Sequence, residues 1–273
     1  MRKSIVRRKW AGNQPALCCA MALTDPAVAE LISLLGFDCI WLDLEHHPRS
    51  LETAASLMRA SRVGRSDIIA RPAKGEFLRM SRMLEAGAMG IMYPRCDHED
   101  EAAEVVRWAK FPPLGQRGVD SGNADVPYAS LPLPEYIRTA NAETFIFVQI
   151  EDPAALDRVE KIAAVPGVDG IFFGPTDFTV QAGIAEQFDH RLVNDAVRRI
   201  SKAVAAHGKT WGMPAFDPAH ARRMLELGAR FLAYGTDIIV LKEGFELIQR
   251  QFAPLGFSFD NQIPQPAGST PLI

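Results

Sequence analysis

The chain of 273 residues reads as an alternating α/β protein, a single-domain (β/α)8 TIM barrel, on three observations. Eight short apolar runs alternate with eight helical stretches, a helix–Gly–strand unit recurs, and charged residues gather where the apolar runs end. The runs fall at about 16–22, 38–43, 67–71, 89–94, 145–151, 169–174, 209–214 and 230–235. They are continuously apolar, as strands buried on both faces are. Helical stretches follow at about 25–35, 51–62, 76–86, 99–110, 153–164, 190–207, 217–227 and 240–252. Eight such units in one chain of this length fit the barrel, and a doubly wound open sheet is the alternative with the same alternation.

In chain order, the first 11 residues carry Arg2, Lys3, Arg7, Arg8 and Lys9 and are read as a basic, solvated, poorly ordered tail. The recurring unit then appears four times. Ala29-Glu30-Leu31-Ile32-Ser33-Leu34-Leu35-Gly36-Phe37-Asp38 leads into Cys39-Ile40-Trp41-Leu42, and Arg82-Met83-Leu84-Glu85-Ala86-Gly87-Ala88 into Met89-Gly90-Ile91-Met92-Tyr93. Ala163-Ala164-Val165-Pro166-Gly167-Val168-Asp169 leads into Gly170-Ile171-Phe172-Phe173, and Arg223-Met224-Leu225-Glu226-Leu227-Gly228-Ala229 into Arg230-Phe231-Leu232-Ala233-Tyr234. Each glycine sits where a helix ends and a tight connection to the next strand begins. The stretch 111–142 breaks the rhythm. It is rich in Pro, Gly and Ser, lacks clear periodicity, and is expected as a long loop on the face opposite the βα loops. A Pro/Gly-rich tail at 254–273 is expected to lie over a surface or a neighbour.

Composition narrows the function classes. A formal net charge of −3 argues against a broad nucleic-acid surface. No apolar segment is long enough for a signal peptide or membrane span, so neither nucleic acid nor membrane is an expected partner. The four cysteines, Cys18, Cys19, Cys39 and Cys96, form no CxxC pair, and three lie in apolar runs. Buried free thiols in a reducing cytoplasm are the expectation.

The strand ends carry the chemistry. Glu151 closes the run 145–150 and Asp177 follows Gly174-Pro175-Thr176. Two carboxylates at neighbouring strand ends suit Mg2+ or Mn2+, which need few protein ligands and keep positions open. Taken singly, each is better explained as a cap of the helix that follows; it is the two together at neighbouring strand ends that favour a metal. His46 and His47 follow the second strand beside Asp43 and Glu45, which can orient a histidine base. The residues alone leave open which histidine is catalytic. Arg71 ends the third strand, where a guanidinium can bind a carboxylate or hold an enolate oxygen; an ion pair with Asp43 or Glu45 is the structural alternative. Gly174, Pro175 and Thr176 form a tight turn whose backbone amides, except at Pro175, can receive a carboxylate. No lysine ends a strand, which disfavours a Schiff base.

These segments resemble the HpcH/HpaI aldolase family of metal-dependent pyruvate aldolases over residues 12–252. The likeness rests on Gly36-Phe37-Asp38, Asp43-Leu44-Glu45-His46, Arg71-Pro72 and Phe111-Pro112-Pro113-Leu114-Gly115-Gln116-Arg117-Gly118. It continues through Gln149-Ile150-Glu151, Gly167-Val168-Asp169-Gly170 and Gly174-Pro175-Thr176-Asp177. The resemblance implies that Glu151 and Asp177 bind a divalent cation, Mg2+ or Mn2+ with Co2+ also admissible. It implies that Gly174–Thr176 support the pyruvate carboxylate. Arg71, helped by Gln149, would hold the keto oxygen and the enolate. His46 would be the base acting with metal-bound water, and Asp43 and Glu45 would support the site. The implied activity is reversible cleavage of a 4-hydroxy-2-oxo acid into pyruvate and an aldehyde, by a homo-oligomer, trimeric or hexameric. Oxaloacetate decarboxylation, cleavage of a CoA ester, or a non-catalytic binding barrel are the alternatives. Leu44, His47 and Cys19-Ala20 depart from the family pattern, on the side expected to receive the aldehyde.

Overall fold

The structure, a computed structural model, describes residues 2–263. Eight parallel strands close into a barrel in sequence order, β1 to β8. They are β1 (Ala16–Met21), β2 (Cys39–Asp43), β3 (Asp67–Arg71), β4 (Gly90–Tyr93), β5 (Phe145–Ile150), β6 (Gly170–Phe173), β7 (Thr210–Pro214) and β8 (Phe231–Thr236). Every one lies within two residues of its expected position. The open-sheet alternative is excluded by the pairing of β1 with β8.

Side chains alternate across each strand, so one parity of residues fills the barrel and the other packs on the helices. Cys39, Ile69, Phe145, Phe147, Phe172 and Phe231 form the inner core, while Ile40, Leu42, Ile68, Ala70, Ile146 and Val148 join the outer one. Phe147, Phe172 and Phe231 meet inside with ring centroids 5.1–6.3 Å apart. Gly90 and Gly170 make room for this layer. A Cβ at either would lie 2.2 Å from the Phe145 ring or 2.5 Å from the Phe147 ring. The same parity carries on up the strands to their C-terminal ends. Cys39–Trp41–Asp43, Ile69–Arg71 and Phe145–Phe147–Gln149–Glu151 therefore climb from core to site.

Helices α2 (Pro26–Leu34), α3 (Leu51–Ala60), α4 (Phe77–Ala86) and α5 (Glu99–Ala109) follow the first four strands. The recurring glycines end helices as expected: Gly87 has φ 121° and Gly228 φ 91°, backbone that side-chain-bearing residues rarely adopt. Four expectations need correction. The basic N-terminus is not a poorly ordered tail. Residues Ile5–Ala11 form α1, capped by the Ser4 hydroxyl, with Val6 fully buried. Trp10 of α1 packs edge-on against Phe145, Phe147 and Phe231, closing the barrel's N-terminal end. The stretch 111–142 is not all loop, because it leads into α6 (Leu133–Glu143), entered through Pro132. The helix expected at 153–164 is two short ones, α7 (Pro153–Leu156) and α8 (Val159–Ala164). An unexpected helix, α9 (Pro175–Gln181), follows β6 directly, and Pro175 starts it.

The remaining helices are α10 (Arg191–Ala205), α11 (Pro218–Glu226) and α12 (Asp237–Phe252). Ile238, Leu241, Phe245 and Ile248 of α12 are exposed, as are Phe257 and Phe259 beyond it. Residues 264–273 of the expected C-terminal tail lie outside the described residues. All four cysteines are free and buried. Among the described residues, no helix is long and apolar enough to cross a membrane.

Candidate active site

A cavity of about 300 Å3 opens at the C-terminal end of the barrel, lined by Trp41, His46, Arg71, Gln149, Glu151 and Gly174–Asp177, with Ala20, Phe172, Pro214, Ala233, Gly235 and Thr236 completing the wall. Asp43 and Glu45 stand behind Arg71. A larger cavity of about 450 Å3 lies at the opposite end, around Arg7, Trp10, Asp169, Lys209 and Arg230. The predicted His46, Arg71, Gln149, Glu151, Gly174, Pro175, Thr176 and Asp177 line the first, and Asp43 and Glu45 adjoin it through Arg71.

Arg71 is the best-held cation. β2 and β3 pair with Asp43 opposite Arg71. The Asp43 carboxylate receives Nε at 2.9 Å and Nη2 at 2.8 Å, a two-pronged bond that fixes the guanidinium plane. The guanidinium lies 4.6 Å over the Trp41 ring. Burial alone would raise the Asp43 carboxyl, but the hydrogen bonds and charge of Arg71 win and hold it at about 2. Glu45 adds an oxygen 3.3 Å from Nε. What remains, Nη1, only reaches Gln149 Oε1 at 3.4 Å, so this edge of the fork can take a better acceptor. The structural alternative for Arg71, an ion pair, is present together with its exposure to the cavity.

Glu151 continues the inward parity of β5. It is buried, and burial pushes its carboxyl up to about 7 despite the Arg95 amide and the charge of Arg71. Its oxygens receive Gln149 Nε2 at 3.0 Å and the Arg95 backbone N–H at 3.0 Å, both neutral donors. A Cβ at position 174 would stand 2.5 Å from Glu151 Oε1, so Gly174 lets β6 approach this carboxylate. Asp177 lies in the first turn of α9, more exposed than Glu151. Its neighbours Gly174 and Pro175 form the cap and first residue of the helix, whose Thr176 and Asp177 amides have no side-chain cap. An anion at the cavity wall would meet those amides.

The donor set fits a hard divalent cation. Two carboxylates line one cavity, one of them desolvated and served only by neutral donors, and a second buried oxygen, Glu45 Oε2, has no hydrogen-bond partner. Among the described residues, no group of three or more His, Cys, Asp or Glu could hold an ion by itself. Mg2+ and Mn2+ take a few carboxylates and complete their shells with water and substrate, so two carboxylates are a sufficient protein share for them.

The histidines divide. His46 lines the cavity, half exposed, with Nε2 3.5 Å from Glu45 Oε2. His47 points back, its Nδ1 3.1 Å from Asp43 Oδ2, and does not line the cavity.

Two residues were missed by the sequence reading. Trp41 was read only as part of an apolar run, although its inward parity with Asp43 was available. Arg95 follows β4 as Tyr93-Pro94-Arg95, the same strand-end placement as Arg71. It has φ 46°, a left-handed conformation that costs a non-glycine residue about 1–3 kcal/mol. That turn puts its amide on Glu151 and its guanidinium 3.8 Å from both Asp177 Oδ1 and Glu45 Oε1.

The family model described as HpcH/HpaI aldolase/citrate lyase matches residues 18–243. A 5-keto-4-deoxy-D-glucarate aldolase of Salmonella arizonae is 34% identical over 242 residues, 89% of this chain and 94% of that protein. A 4-hydroxy-2-oxo-heptane-1,7-dioate aldolase of the same organism is 32% identical, over 92% of this chain and 95% of its own length. Among solved structures, an HpcH/HpaI aldolase/citrate lyase family protein of Burkholderia cenocepacia superposes with a TM-score of 0.85 at 31% identity. That match covers 92% of this chain and all of the other.

Proposed function

This chain belongs to the HpcH/HpaI aldolase/citrate lyase family and is an aldolase, and we propose that it reversibly cleaves a 4-hydroxy-2-oxo acid into pyruvate and an aldehyde with the help of a divalent cation. One observation carries the reading: Glu151, Asp177, Arg71 and His46 line one cavity at the C-terminal end of the barrel.

In this reading Glu151 and Asp177 would hold Mg2+ or Mn2+, which when bound would supply positive charge that lowers the cost of the negative charge developing on the oxo acid. The Thr176 amide, beside Gly174 and Pro175, receives the carboxylate. Arg71 turns its free edge, Nη1, to the C2 oxygen, and Asp43 and Trp41 keep that edge aimed, so little reorganisation accompanies the reaction. Gln149 bridges Arg71 and Glu151 and keeps the two at a set spacing. His46 Nε2, backed by Glu45, takes the proton of the 4-hydroxyl. The C3–C4 bond then breaks, its electron pair forms the enolate of pyruvate, and the aldehyde leaves. Protonation at C3 completes pyruvate. In synthesis the same enolate attacks an aldehyde and His46 returns the proton.

Both similar aldolases are named for dicarboxylic acids, which supports a 4-hydroxy-2-oxo acid with a second carboxylate as the substrate class. The exposed apolar residues of α12 support a homo-oligomer, and the four free thiols support a cytoplasmic setting.

A panel of 4-hydroxy-2-oxo acids, assayed for pyruvate release with Mn2+ and again with excess EDTA, tests the proposal. Release that depends on the metal is expected. Release that is unchanged by EDTA would contradict the cation's role, and no release from any member of the panel would contradict the substrate class.

A further inference from the structure

Arg95 is the one cation near Asp177 and Glu45 that no hydrogen bond from its own side chain holds among the described residues. Arg71, in contrast, is pinned by Asp43. Its side chain is half exposed and spans 3.8 Å to Asp177 Oδ1 on one side and 3.8 Å to Glu45 Oε1 on the other. Both contacts are ionic without being hydrogen bonds, and both carboxylates also face the cavity's other charges. The backbone at Arg95 is held firmly. Its amide donates to Glu151 Oε2 and the next amide, Cys96, donates to Gln149 O at 3.0 Å. A fixed backbone in a rarely used conformation thus delivers a loosely engaged positive charge to Asp177, one of the two carboxylates assigned to the cation, while its amide holds the other, Glu151.

We propose that Arg95 competes with the divalent ion for the Asp177 carboxylate, so that this one side chain sets how tightly the site holds its cation. The inference rests on Glu151 and Asp177 as the cation's ligands, and adds a residue that weakens their grip. Two like charges cannot both sit against Asp177 at full strength, so the ion binds only as the guanidinium gives way. The guanidinium can do so because its exposed stem is free to turn to solvent. Arg71 cannot play this part, because Asp43 and the Trp41 ring keep it in place.

Mn2+ titrated into the intact protein, with free ion followed by electron paramagnetic resonance, reads the competition without any turnover. Arg95→Gln is expected to bind Mn2+ about tenfold more tightly than the unsubstituted protein, as removal of one nearby unit charge implies. Arg95→Lys, which keeps the charge, should stay within about twofold. Arg95→Gly removes the charge and also relieves the left-handed backbone, so it should match Arg95→Gln even if the glutamine variant folds poorly. Equal or weaker Mn2+ binding in both Arg95→Gln and Arg95→Gly, with binding by the unsubstituted protein intact, would overturn the competition alone. No Mn2+ binding by any of the four proteins would overturn the assignment of Glu151 and Asp177 and the competition with it.

Discussion

At the N-terminal end of the barrel Asp67 is buried, and at the C-terminal end Glu151 is; burial raises both carboxyls, to about 6 and about 7. Their surroundings differ. Asp67 Oδ2 receives the Ser4 hydroxyl at 2.6 Å and the Val6 amide at 3.0 Å, and so ties α1 to β3. The cations at this end of the barrel are likewise spent on structure. Lys110 donates to Asn141 O and Thr144 O, Arg230 to Leu225 O and Ala229 O, and Arg7 to Thr144 O and Asp169. At the other end Glu151 and Asp177 face a cavity with charge still to be matched, and Glu45 stands behind Arg71 with one buried oxygen lacking a hydrogen-bond partner. The larger cavity belongs to the end where polar groups serve the backbone, so size alone would have misplaced the chemistry. Burial of a charge marks a functional site only where its partners leave it something to do.

The comparison breaks most sharply at Glu151. Glu151→Gln should lower aldol cleavage by about a thousandfold or more, as loss of a central electrostatic group does, while the melting temperature holds or rises because a buried charge is gone. A parallel fall in activity and melting temperature would mean Glu151 is structural. Next is Arg71→Lys, expected to lower turnover by about a hundredfold, since an ammonium cannot hold both Asp43 oxygens and still present a fixed edge to the substrate. Steady-state kinetics with Mn2+ saturating would check this, and full activity would remove Arg71 from the enolate's side.

The opposite end should respond the other way. Asp67→Ala is expected to cost about 2–3 kcal/mol in urea unfolding, by losing two charged hydrogen bonds and freeing α1, with little change in turnover of the folded enzyme. Because the folded carboxyl titrates near 6 and the unfolded one near 4, the folded state binds more protons between these values. Its contribution is therefore full below about pH 4 and is lost as pH rises to about 6. Asp67→Asn should remove that slope from a plot of stability against pH, and an unchanged slope would assign it to another group. The smallest effect expected on the isolated fold is that of Phe245→Glu on α12. It should leave the secondary structure intact and shift the assembly towards smaller species in light scattering, and an unchanged mass would free that face from any interface.

Most of the barrel was legible because strand burial on both faces writes continuous apolar runs, and because the glycines at 36, 87, 167 and 228 punctuate the helix ends. The site was legible wherever a charge broke such a run, as at Asp43, Arg71, Glu151 and Asp177. What stayed hidden depends on tertiary contact. Helix α1 is short and carries three basic residues, Arg7, Arg8 and Lys9, so composition suggested a tail; only the landing of Val6 and Trp10 under the barrel makes it a helix. Helix α9 hid behind Pro175, which reads as a turn and here begins a helix. Arg95 ended a strand as Arg71 does. Its left-handed backbone, which aims it at Asp177, has no signature in a Pro-Arg-Cys triplet.

If Glu151 is an indispensable ligand for the cation, the C-terminal end of the barrel makes an enolate of pyruvate only with the metal and that carboxylate both in place. Exchange of the pyruvate methyl protons with D2O, followed by NMR in the intact protein and in Glu151→Gln, tests it without knowledge of the aldehyde. Exchange is predicted with Mg2+ or Mn2+, to vanish with excess EDTA and in Glu151→Gln at matched folding. Exchange that survives EDTA or the substitution, or none from the intact protein with either metal, would contradict the claim.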